Sequence, residues 1–79
     1  MLVSNLHEIR EEAIKRSKMA IFAASKAASR KEIRELAFAS ARETIELMNL
    51  VNRPNDRLTE GQIELLAHKA TLVAMRSYR

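Results

Sequence analysis

Two histidines, each one helical turn from a glutamate, are the side chains best placed to do chemistry. His7 and Glu11 stand i, i+4 toward one end of the chain, and Glu64 and His68 stand i, i+4 toward the other. If helices brought both pairs together, the four groups would make a two-histidine, two-carboxylate metal site. The spacing is not the Glu-x-x-His of di-iron carboxylate bundles, and helix-surface ion pairs account for the same residues more simply. No metal and no cofactor is therefore expected.

Little else in the sequence suits catalysis. The absence of cysteine removes thiolate chemistry, disulfides and cysteine-ligated zinc together. A single glycine, Gly61, cannot build a phosphate-cradling loop, and no serine, histidine and aspartate order suggests a triad. The chain reads as a non-enzyme.

Basic residues are the next candidates. Lys15, Arg16, Lys18, Arg30, Lys31 and Arg34, with Lys26 among them, gather in the first half of the chain; Arg53 and Arg57 flank Pro54, and Arg76 and Arg79 close the sequence. Such residues can follow a phosphate backbone. Net charge is +4 and the sequence pI about 10.0, yet ten carboxylates are interleaved with the fourteen lysines and arginines. Mixed charge of this kind also simply solvates a helical surface. The aromatics are only Phe22, Phe38 and Tyr78, too few for a base-stacking platform, and no helix carries the polar set that reads base edges. Nucleic acid is permitted as a non-specific partner and not demanded.

Protein contact needs apolar surface left over from the core. Phe38 and Ile45 lie seven residues apart, on a different side of their helix from Ala37 and Ala41. With Phe22 and Met48 they form a candidate surface for a second copy or for a partner helix.

These side chains are positioned by helices. Asn5 and Glu8, Ser29 and Glu32, and Thr59 and Gln62 each have capping-box spacing, and Leu58 and Ile63 have the spacing of a hydrophobic staple. Ser4 or Asn5 starts the first helix, and Asn52-Arg-Pro-Asn-Asp56 is the one plain break. The expected helices are 5–28, 30–52 and 60–77, an all-α fold in a single domain over 1–79.

Between Met19 and Ala41 the chain holds eight alanines and three serines, with no glycine or proline. Small side chains at helical spacing let two helix axes come unusually close. Antiparallel pairing about position 30 matches Ala24 with Ala37, Ala20 with Ala41 and Ser17 with Thr44. The chain either turns near Ser29 into a helical hairpin plus a third helix, or it runs on as one long first-second helix in a swapped dimer. The Ser29 cap favours a turn. The lack of a glycine or asparagine for a left-handed helix end opposes it.

Seventy-nine residues carry 37 hydrophobic side chains, twelve of them alanine, which leaves 25 larger ones. A core this small gains from association, so a homodimer is expected. The start of the chain lacks the basic-then-apolar pattern of a signal peptide, and no apolar run approaches the roughly 20 residues of a membrane span. The expectation is a cytoplasmic helical adaptor, regulator or assembly subunit acting through itself and an unidentified protein partner. The alternative is a basic regulatory protein contacting nucleic-acid phosphates non-specifically.

Overall fold

A computed structural model describes residues 5–77 of the chain; Ser4, Tyr78 and Arg79 lie outside them. Three α-helices follow in order, α1 (Leu6–Ala23), α2 (Arg30–Val51) and α3 (Glu60–Arg76), with one 3-10 turn at Pro54–Asp56. No strand occurs among the described residues, and each helix packs on the other two in a three-helix bundle 43 Å long.

Each helix starts at the cap that the sequence supplies. Asn5 Oδ1 accepts from the Glu8 N–H at 2.8 Å. Ser29 with Glu32, and Thr59 with Gln62, form complete capping boxes with hydrogen bonds in both directions. Leu58 packs on the core beside the start of α3, where Ile63 is buried. At the far end of α2 the Arg57 side chain donates to the Asn52 and Leu50 carbonyls, a cation on orphan acceptors at a helix C-terminus.

α1 and α2 are separate helices, and α1 stops at Ala23 rather than at residue 28. Ala24 is extended, with φ −67° and ψ 150°, and Asn52 ends α2 in the same way with φ −77° and ψ 158°. No described residue has positive φ. Glycine is needed only where a helix ends left-handed, so its absence near Ser29 put no obstacle in the way of a turn. The connection folds on itself instead: Ser25 Oγ accepts from the Ala27 N–H, and the Ser25 carbonyl accepts from the Ala28 N–H.

The early stop resets the register between the two helices. Ser17 Oγ donates to the Ala37 carbonyl at 2.7 Å, and Ser40 Oγ donates to the Arg16 carbonyl at 3.2 Å. Ser17 was expected beside Thr44; the hydroxyl of Thr44 instead bonds to Ser40 in its own helix. Residues 24–29 form the reversal, so its centre falls nearer position 27 than position 30.

The buried residues of α2 are Ile33, Ala37, Ala41, Ile45 and Asn49, a strict i+4 ridge. Such a ridge winds about 40° per step around its helix, which carries Leu36, Leu47, Leu50 and Val51 to the outside. The core has two parts. The larger joins Ile9, Ala13 and Ile14 to Ala41, Ile45 and the first half of α3; the smaller joins Ile21, Ile33, Ala37, Ala74 and Met75. Two of the five residues in the smaller part are alanines. The end where α1 turns into α2 is thus held by the smaller of the two clusters.

Candidate interaction surface

The four residues expected to share a surface do not share one. Ile45 is wholly buried in the larger part of the core, so it offers nothing to a partner. The i+4 ridge turns it inward. Phe38 is half-buried, and its ring centroid lies 4.5 Å from that of His68 on α3. Met48 is half-buried in a groove between α1 and α2. Only Phe22 stands clear, 83% exposed. Met19, one helical turn before it, is 52% exposed, so this part of α1 is open to solvent on that side.

Of the alanines assigned to the helix pair, Ala37 and Ala41 are fully buried, while Ala20 and Ala24 are half-buried. Ala24 packs against the cluster that contains Ala37. Alanines let the helices close up, and they also leave space unfilled. Next to Phe22 an open cleft of about 390 Å³ is walled by Ile21, Ala24, Ile33 and Ala74, with Lys18 and Lys26 at its sides and Ser25 and Ser77 completing it. Among the described residues no carboxylate lines it.

Charge is divided unevenly along the bundle. Between Lys15 and Arg34 the sequence carries seven basic residues against one acid, Glu32. Arg16 is tied to Glu12 at 3.0 Å. Among the described residues, Lys15, Lys18, Lys26, Arg30, Lys31 and Arg34 have no carboxylate within 4.0 Å. Arg30 and Arg34 meet Arg76 around a second groove, floored by Leu72 and Met75 between α2 and α3. The Glu32 carboxylate is engaged with the helix cap. It accepts from the Ser29 N–H at 3.0 Å while the Ser29 hydroxyl bonds the Glu32 N–H at 3.1 Å, which holds the carboxyl below its ordinary 4.5.

The histidines sit in a different setting. Arg42 on α2 reaches Glu60 and Glu64 on α3 as well as Glu46 on its own helix, which ties the two helices together. His68 Nε2 lies 3.9 Å from Glu64. Among the described residues no three His, Asp or Glu side chains converge as a metal site would require.

Phe22 and Lys18 stand out in the sequence, but the cleft between them does not. Its walls come from three helices, and only the early end of α1 brings Lys26 and Ala24 to its mouth. The excess of alanine is the one signal of it: small side chains allow close packing, and they equally allow incomplete filling. No helix among the described residues is long and apolar enough to cross a membrane. Compared with protein-family models, with curated proteins and with solved structures, the chain finds no match.

Proposed function

We propose that this chain is a small, non-enzymatic helical binding module that works through protein contact at the α1–α2 connection, in the cytoplasm. The observation that carries the reading is Phe22. Among the described residues it is the most exposed of the large hydrophobic side chains, at 83%, and it borders an open cleft walled by Ile21, Ala24, Ile33 and Ala74, where an aromatic ring can serve as an interface anchor. A photo-reactive phenylalanine analogue placed at position 22 tests it. Protein adducts are expected in cells that make the chain; the absence of any protein adduct would remove the reading.

Self-association belongs to the same proposal. Leu47, Leu50 and Val51 are each more than half exposed toward the end of α2, and a homodimer would cover them. Light scattering decides this: twice the 9.0 kDa chain mass is expected.

A second reading is favoured by the unpaired basic residues. Lys15, Lys18, Arg30, Lys31 and Arg34 would hold nucleic-acid phosphates without reading sequence. Under it, affinity for DNA or RNA falls over several decades as salt rises. Failure to bind either at low salt removes it.

A further inference from the structure

Resting on the protein-contact reading, we propose that the cleft beside Phe22 takes an acidic amphipathic segment of a partner protein. One large apolar side chain seats between Ile21, Ile33 and Ala74, and carboxylates on its flanks meet Lys18 and Lys26.

Charge complementarity points to an acidic occupant. Among the described residues the cleft is lined by two lysines and no acid, and most of its lining comes from the stretch that carries seven basic residues against Glu32 alone. Glu32 is a single carboxylate against seven cations, and among the described residues none of them lies within 4.0 Å of it. A partner bearing carboxylates is drawn to this end and oriented by it. The wall calls for an apolar anchor. Ile21, Ala24, Ile33 and Ala74 present no polar side chain, and about 390 Å³ lies within the roughly 300–1,000 Å³ of ordinary ligand pockets. Phe22 at the rim supplies the rigid aromatic contact on which such interfaces concentrate their affinity.

A nucleic acid fits the lysines but has no use for aliphatic walls. A second copy of the chain is a poorer match in charge, because it carries a net charge of +4 itself.

The test uses the full chain and a fluorescein-labelled helical peptide of about four turns, with Leu and Phe at i, i+3 and i+7 and glutamates on both flanks. Two twins keep the apolar face, one with glutamine and one with lysine in place of glutamate. A labelled single-stranded oligonucleotide is run beside them. Saturable binding of the glutamate peptide is expected, with about tenfold loss on Phe22→Ala. Lys18→Glu with Lys26→Glu should lose the glutamate peptide and gain the lysine twin.

Binding of the glutamine twin as tightly as the glutamate peptide would overturn the acidic assignment while leaving protein contact at this surface intact. Failure of all three peptides, with Phe22-dependent binding of the oligonucleotide, would overturn both. A gain of about tenfold in peptide binding on Tyr78→Ala would give the cleft to the chain's own terminus instead. Concentration-dependent dimerisation abolished by Phe22→Ala would give it to a second copy.

Discussion

Ser17 Oγ donates a 2.7 Å hydrogen bond to the carbonyl oxygen of Ala37, across the α1–α2 interface and out of reach of solvent. Ser17 is small enough to let the helices close on each other, and its hydroxyl finds a lone pair on a carbonyl within the α2 helix. The bond fixes where the two helices lie along each other.

Two substitutions separate the size of this side chain from its hydrogen bond. Ser17→Ala keeps the volume and loses about 1 kcal/mol, the net value of one buried hydrogen bond. Ser17→Leu must force Ala37 away and costs about 1–3 kcal/mol more through overpacking. Urea unfolding reads both, as a lowered midpoint at unchanged slope. Equal losses for the two variants would mean that the helices are not in close contact at this point.

The helix starts were legible in the sequence because each is written in three or four residues. Ser29-x-x-Glu32 and Thr59-x-x-Gln62 specify hydrogen bonds between near neighbours, and both boxes are complete. The end of α1 was not legible. Ala24 to Ala28 are good helix formers, and only their place between two antiparallel helices makes them leave the helix. The same tertiary cause hid the fate of Ile45. Its position seven residues from Phe38 suggested a common face, yet the i+4 ridge of α2 takes Ile45 into the core and leaves Phe38 beside His68. The cleft was hidden for a further reason: an unfilled volume belongs to no single residue.

Asn49 clamps the α2–α3 connection. Its Oδ1 accepts from the Leu58 N–H at 2.8 Å and its Nδ2 donates to the Leu58 carbonyl at 3.3 Å, so one side chain satisfies both backbone groups of one residue. Asn49→Ala leaves both partly buried groups unpaired and should cost about 1–3 kcal/mol. Asn49→Asp keeps the acceptor and sets its second oxygen against the Leu58 carbonyl, so it should be destabilising at neutral pH. Lowering the pH protonates that carboxyl, restores a donor and recovers part of the loss. Thermal melts across the acid range check the recovery, which Asn49→Ala should not show.

Glu32 and Gln62 do the same job at the starts of α2 and α3, but only Glu32 titrates. Hydrogen bonds from Ser29 lower the folded-state carboxyl below its ordinary 4.5. A depressed folded value means that the stability Glu32 contributes is present above pH 4.5 and is lost as pH falls through the folded value. Glu32→Gln reproduces the box already found at Thr59 and Gln62, so the folded variant should lose less stability than the parent between neutral and acid pH. Parallel pH dependences for parent and variant would show that the Glu32 box contributes nothing measurable.

Ile45 and Phe22 give the sharpest contrast between core and surface. Ile45 has no exposed surface, whereas Phe22 is 83% exposed. Ile45→Ala removes buried methylenes and should cost about 2–5 kcal/mol, a large part of the total stability of so small a domain. Ile45→Glu puts a carboxylate among Ile9, Ala41 and Leu66 with no cation to meet it, and should unfold the chain at neutral pH. Phe22→Ala should change stability by no more than about 0.5 kcal/mol, because little of the ring is removed from water on folding. Circular dichroism melts of the three variants decide the matter. If Ile45→Glu melted with the parent, the i+4 ridge would have to be rotated on α2 and its core redrawn. If Phe22→Ala fell by several kcal/mol, the ring would be holding the bundle together, and its exposure could no longer speak for a partner.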